Sequence, residues 1–250
     1  MININERQEI QDLFGVSQGQ VNRDHAISHT LSALQLLETK FVFFGGTALS
    51  RTFLDKGRLS EDIDLYTADR DALCSELDEL PNFLEEEFPQ ANWNLRPSQT
   101  SELGHSSLVC EPSIQIKVQI VDSSQRGWLK IPTQLSEIQQ RYSDAPRTKL
   151  WTPTFDGFIV MKTLAWLDRR SPRDLFDLYG LSKERDVTEV VRELVGELCG
   201  HQITTGMLNR PPIGAWHEQL AHQTNLQITA EESLEGVLDW WEGSISSQIP

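Results

Sequence analysis

One stretch limits what this chain can fold into more than any other. Residues 41–65 read Phe-Val-Phe-Phe-Gly-Gly-Thr-Ala-Leu-Ser-Arg-Thr-Phe-Leu-Asp-Lys-Gly-Arg-Leu-Ser-Glu-Asp-Ile-Asp-Leu. The apolar run Phe41 to Phe44 has the length of a short buried strand. Gly45 and Gly46 let the backbone turn sharply and approach a ligand closely. Thr47 to Leu54 reads as a short helix that starts directly after the glycines. Free N–H groups and the positive end of the dipole would face a phosphate there. Asp62-Ile63-Asp64-Leu65 reads as the next strand. Residues two apart on a strand point to the same side, so Asp62 and Asp64 share one face, with Ile63 and Leu65 on the other. Two carboxylates beside a phosphate-binding turn can hold Mg²⁺ ions against a triphosphate.

The rest of the chain sets the surroundings of that stretch. At 250 residues it can bury a sizeable core, as one large domain or two modest ones. Charged residues make up 24% and hydrophobic residues 38%, which excludes a disordered chain. No apolar run approaches the roughly 20 residues of a membrane helix. The start, Met-Ile-Asn-Ile-Asn-Glu-Arg-Gln-Glu, has neither the basic nor the apolar region of a secretory signal. Cys74, Cys110 and Cys199 are odd in number and scattered, which argues against a disulfide framework or a structural zinc site. A cytoplasmic location is the resulting expectation. The net charge of −15 disfavours a long polyanionic substrate, because phosphate backbones attract basic surfaces. A local basic patch could still receive RNA, and a basic protein partner would suit the acidic whole.

Read in order, residues 1–22 are polar with little period, a loose arm or a short helix. Asp24 is placed to cap a helix reaching about Glu38, with Ile27, Leu31, Leu34 and Leu36/Leu37 as its apolar stripe. After the Gly-Gly turn and the acidic strand, Asp69 can cap a helix through Leu73, Leu77 and Leu80, which Pro81 interrupts. Trp93 and Leu95, then 107–110, then Ile114-Gln-Ile-Lys-Val-Gln-Ile120 change to a two-residue period. In the last of these, Lys117 and Gln119 lie opposite Ile116, Val118 and Ile120. The fold class is therefore α/β (α+β): a small mixed sheet with helices on one side, in residues 1–150, followed by a helical C-terminal domain in 151–250. Residues 128–153, with three prolines, read as a connector. Helices are expected over about 158–169, from Ser171-Pro172 onward, and over 187–199, 214–223 and 230–242, with Thr229 and Glu232 as a capping box. Of the six histidines, only His217 and His222 approach a metal-ligand spacing, and five residues apart is not ideal on a helix. The tryptophans read as core or interface rather than base-stacking platforms.

The Gly-Gly turn, short helix and Asp-x-Asp strand resemble the nucleotidyltransferase signature of the DNA polymerase β superfamily. The fuller wording, Gly45 to Ser50 and Arg58 to Leu65, resembles the AbiEii/AbiGii toxin family within it. Met161 to Leu181 resembles that family's C-terminal motif, a helical Lys followed by Arg-Asp-Leu-x-Asp-Leu. The resemblance covers about residues 40–181. It implies a metal-dependent nucleotidyltransferase that uses an NTP and two Mg²⁺ ions, a toxin of a toxin–antitoxin or phage-defence pair with a cognate antitoxin. In some relatives the acceptor is the 3′ end of tRNA. It implies that Asp62 and Asp64 are catalytic and hold the metal. Gly45, Gly46 and Thr47 would hold the nucleotide's phosphates, and Arg51 or Arg58, which flank the turn and the acid strand, could meet the triphosphate bidentately. Lys162 would contact its phosphates and Asp174 would support catalysis from across a cleft between the two domains.

Several alternatives stay open in the sequence. The superfamily usually has a third carboxylate on a neighbouring strand, and Gln119 stands where it is expected. Asp122 lies just beyond, with the opposite strand parity. The general base is therefore unassigned, and a silent NTP-binding module is a rival reading. So is nucleotidylation of a small molecule or a protein. Asp174 also sits where an acid completes a capping box after Ser171. Asp177 could pair with Arg173 or Arg170, and Lys162 could face solvent. Ser60 could orient the acidic strand.

Overall fold

Strand alternation sets the central layer. In this computed structural model, which describes residues 2–101, 104–123 and 127–246, the chain forms two compact units, 1–153 and 154–250. In the first unit, β1 (Val42–Phe44), β2 (Asp62–Thr67), β3 (Asn92–Leu95), β4 (His105–Glu111) and β5 (Ile114–Asp122) form a mixed sheet in the order β1-β2-β5-β4-β3. The β2–β5 pair is parallel and the other three pairs are antiparallel. On β5, Ile114, Ile116, Val118 and Ile120 are buried while Gln115 and Lys117 are exposed. On β2, Ile63 and Leu65 are fully buried. Each such side chain contributes about 1.5–3 kcal/mol by leaving water. This asymmetry leaves the opposite face of both strands for polar groups.

Helix α2 (Gln18–Leu34) packs against β5 and begins earlier than the sequence reading placed it. Ser17, not Asp24, is its N-cap and accepts from the Gln20 N–H. Asp24 lies inside the helix and is buried, because a guanidinium meets it there: Arg51 approaches its carboxylate at 2.7 Å. Residues 1–22 are not a loose arm. Helix α1 (Ile4–Phe14) ends at Gly15 in the left-handed region, and Phe14, Val16 and Val21 join Leu59, Tyr142 and Ala145 in a core cluster.

Helix α3 (Gly45–Ser50) starts with the glycines themselves and is shorter than the expected Thr47–Leu54. Asp69 caps α4 (Arg70–Leu77) by accepting from the Ala72 N–H. After Pro81 the chain continues as a 3₁₀ turn, Leu80–Leu84. The expected connector contains an antiparallel hairpin, β6 (Thr133–Ile138) and β7 (Thr148–Pro153).

The second unit is helical: α5 (Phe155–Arg169), α6 (Pro172–Glu184), α7 (Glu189–Cys199), α8 (Thr205–Leu208), α9 (Trp216–Leu220) and α10 (Ala230–Ser246). The capping box at α10 forms as the sequence indicates. The Thr229 N–H donates to Glu232 at 2.9 Å and the Glu232 N–H to the Thr229 hydroxyl at 3.2 Å. The buried Trp166 ties α5 to α8, its indole donating to the Leu208 carbonyl at 3.0 Å. All three cysteines are free thiols. No helix among the described residues is long and apolar enough to cross a membrane.

Candidate active site

The first unit presents the Asp-x-Asp strand as its alternation requires. Asp62 and Asp64 are half-buried on one face of β2, with Ile63 between them turned into the core. β1 runs antiparallel beside them with Phe44 opposite Asp64, and Gly45 follows directly. Gly45 has φ +80°, a region that disfavours side chains. A Cβ at Gly45 would clash with the Asp64 carboxylate, so the absent side chain makes room for that acid. A Cβ at Gly46 would likewise run into the Arg58 guanidinium and the Ser60 hydroxyl. Both glycines thus let the acid strand and its approach pack closely against the turn.

The other expected contacts divide. Arg58 is buried and lies against the turn at Gly46. Arg51 corrects the sequence reading. Its side chain is fully buried and serves the core of the first unit. It donates to the Asp24 carboxylate at 2.7 Å, the Asp24 carbonyl at 2.9 Å, the Ser28 hydroxyl at 2.8 Å and the Gln139 carbonyl at 3.1 Å. A guanidinium engaged in this way is a structural tie between α2, α3 and the segment after β6. Thr47 is also buried, and its hydroxyl donates to the Asp62 carbonyl. That bond anchors α3 to β2, so the hydroxyl is used within the fold rather than offered to a phosphate.

Parallel pairing of β2 with β5 sets Asp64 opposite Gln119 and Asp62 opposite Lys117. The residue beside the two acids, where a third carboxylate is expected, is therefore an amide. Asp122 pairs with Thr67, an odd number of residues further on, and so does not join this face. The same register extends to β4, with His105 opposite Gln119 and Ser107 opposite Lys117. Neighbouring strands lie about 4.8 Å apart, so Lys117 brings an exposed ammonium group to the acid face. The sequence reading gave neither Lys117 nor His105 a role; strand parity placed Lys117 on this face, but register, which depends on pairing, was needed to align them. Phe44, Tyr66 and Trp128 form an aromatic cluster, with ring centroids 4.8–5.5 Å apart. Phe44 lies opposite Asp64, and Tyr66 follows two residues after it, at the rim of the same face. A surface hollow of about 590 Å³ in this unit is lined by residues 137–140, 142, 143, 145 and 147, and not by the two acids or the glycine turn.

In the second unit, the C-terminal motif forms a buried ion-pair cluster. Lys162 on α5 is buried, with its Nζ 3.2 Å from Asp174 and 2.7 Å from Asp177 on α6. It does not face solvent. Arg169, seven residues along α5 and so on the same face, grips Asp174 with two bonds, 2.6 Å from Nε and 3.0 Å from Nη2. Asp174 is fully buried. Burial alone would raise its pKa, but Lys162 and Arg169 overcome that and hold the carboxyl below the ordinary range. The capping alternative fails on geometry: Ser171 makes no side-chain cap bond, and the Asp174 carboxylate turns to the two cations instead. Asp177 pairs with Lys162.

A mixed five-stranded sheet carrying a Gly-Gly turn and two acids on the adjoining strand is consistent with a nucleotidyltransferase fold. The sequence profile of the nucleotidyl transferase AbiEii toxins, of type IV toxin–antitoxin systems, matches residues 29–236, and the chain belongs to this family. Family membership carries with it an NTP substrate and an antitoxin partner. The fold resembles MenT4, a nucleotidyltransferase toxin from Mycobacterium tuberculosis H37Rv, with a TM-score of 0.65 at 20% identity over 93% of this chain and 85% of that one. It also resembles a candidate nucleotidyltransferase from H. pylori, with a TM-score of 0.55 at 16% identity over 94% of this chain and all of that one. At these identities the likeness is one of fold. No curated protein shows significant sequence similarity to this chain.

Proposed function

We propose that this nucleotidyltransferase moves a nucleotide from an NTP to the 3′ end of an RNA, a tRNA among the candidates, in a Mg²⁺-dependent reaction centred on Asp62 and Asp64. The observation that carries this reading is the pair of carboxylates on one face of β2, packed closely against a glycine turn. Two carboxylates with hard oxygen donors suit Mg²⁺, which also draws ligands from substrate phosphates and water. When bound, two such ions would activate the acceptor hydroxyl and neutralise charge on the departing pyrophosphate. Backbone N–H groups of the Gly45–Gly46 turn would meet the phosphates. Arg58, beside Gly46, and Lys117, opposite Asp62, would supply positive charge on that face. Gln119 cannot act as a general base, so the acceptor proton would pass to solvent water rather than to a third acid.

Lys162 and Asp174 keep their proposed part in the reaction on the strength of the family motif alone. Their mutual pairing means that part of the charge of Lys162 and Arg169 is already neutralised within the protein. Together with the net charge of −15, this favours a short RNA terminus over an extended polyanion as acceptor.

The test is to incubate the purified protein with Mg²⁺, each α-labelled NTP and total RNA. The expected result is 3′-end label on a small set of RNAs that falls steeply with salt. Label in protein bands or small molecules would replace RNA as the acceptor. Tight Mg²⁺-dependent NTP binding without label in any acceptor would mean a silent module.

A further inference from the structure

A second constellation lies in the first unit, and the proposed reaction makes no use of it. His25 and His29 are four residues apart on α2, which places both imidazoles on one helix face. Their Nε2 atoms are 3.3 Å apart. Both oxygens of Asp144, from the turn between β6 and β7, stand 3.1 Å from the His25 Nε2, and one is 3.7 Å from the His29 Nε2. Glu87 joins them from the segment after the 3₁₀ turn, and the four ligand atoms all lie within 4.8 Å of one another.

We propose that His25, His29, Asp144 and Glu87 form a structural site for a borderline divalent transition ion, Zn²⁺ foremost, separate from the carboxylates on β2. Two nitrogens, each 2.0–2.1 Å from one tetrahedral ion, stand about 3.3 Å apart, the separation seen here. Without an ion the two imidazoles converge on the same Asp144 carboxylate as acceptor. A helical His pair at this spacing is a recurrent zinc-binding element, completed elsewhere by a carboxylate. Imidazole ligands favour zinc, copper or nickel over Mg²⁺, which prefers oxygen.

The rings are also held in place. His25 packs edge-on against Tyr142 with centroids 4.9 Å apart, and His29 against Phe88 at 5.8 Å. The ion would join three segments, α2, the stretch before β3 and the β6–β7 turn. Tyr142, two residues before Asp144, in turn donates to Asp24, the partner of Arg51. The site would therefore brace the scaffold behind α3.

The experiment uses the untagged full chain, stripped with chelator and titrated with Co²⁺ and Zn²⁺. Wild type should bind one Co²⁺ with the intense visible bands of a tetrahedral site, displaced by Zn²⁺, and should melt at higher temperature with Zn²⁺. His29→Gln and Asp144→Asn should each lose affinity by at least tenfold and lose the thermal shift. Asp144→Asn changes a turn residue, so it keeps the test open if a histidine variant fails to fold. Asp62→Asn should retain the Co²⁺ spectrum. Absence of a tetrahedral spectrum in wild type would overturn the proposal, as would binding unchanged in both His29→Gln and Asp144→Asn. A spectrum lost in Asp62→Asn but kept in the other two would assign the ion to β2 instead.

Discussion

Two pairs of aspartates in this protein are close in sequence and opposite in circumstance. Asp62 and Asp64 lie on a strand, half-buried, on a face that their alternation turns away from the core. Asp174 and Asp177 lie on a helix, almost wholly buried, with Lys162 and Arg169 drawn onto them. The difference follows from secondary structure. A two-residue spacing on a strand aligns carboxylates without bringing cations from the same strand. A three-residue spacing on a helix sets both acids on one side, where a packed neighbour can neutralise them. A carboxylate pair kept partly solvated can exchange water for a metal, whereas a buried pair neutralised by protein cations contributes to the fold. The first pair should therefore matter for activity and little for stability, and the second strongly for stability.

The largest effect on stability is expected from Asp174→Ala. It would leave Lys162 buried with one partner instead of two and release Arg169, a loss of about 3–5 kcal/mol. Chemical denaturation of wild type and variant measures it, and a cost below about 1 kcal/mol would erase the contrast between the two pairs. The pH dependence sharpens the same point. The Asp174 pKa is lower in the folded protein than in the unfolded chain, so its stabilisation is complete above the unfolded value of about 3.9 and is lost as pH falls toward the folded value. Melting curves between about pH 6 and pH 2 should therefore fall less steeply for Asp174→Asn than for wild type.

Gly45→Ala comes next. The residue has φ +80°, and the added methyl would press on the Asp64 carboxylate. A stability loss of about 1–3 kcal/mol is expected from backbone strain, with a much larger fall in transfer because the acid is displaced. Equal fractional losses in the two measurements would mean that the turn serves the fold alone. The smallest effect on stability is expected from Asp62→Asn, within about 0.5 kcal/mol in the absence of metal. A larger loss would mean that the strand acid belongs to the fold as much as the helical ones.

What could be read from the sequence was whatever depends on local pattern. The apolar run before Gly45, the parity of Asp62 and Asp64, the two-residue period of β5 and the caps at Asp69 and Thr229 all reappear in the structure. What could not be read depends on partners far along the chain. Asp24 looked like a cap because nothing nearby shows that Arg51, 27 residues later, would bury against it. Arg51 looked like a phosphate ligand for the same reason. The β6–β7 hairpin was hidden by an inverted pattern: Leu135 and Trp151 face outward, while Ser136 and Thr152 turn inward and bond to each other at 2.7 Å. His25 and His29 did carry a sequence signal in their four-residue spacing. The sequence reading singles out only His217 and His222, and Asp144 and Glu87, which complete the cluster, are distant in sequence.

The most direct test of the account is nucleotide transfer by wild type and by Asp64→Asn, each shown to be folded, in Mg²⁺ with α-labelled NTPs and RNA acceptor. A substitution that changes one charge and almost no volume should abolish transfer while the melting temperature without metal stays near wild type. Turnover by Asp64→Asn close to wild type would contradict the placement of the chemistry on β2.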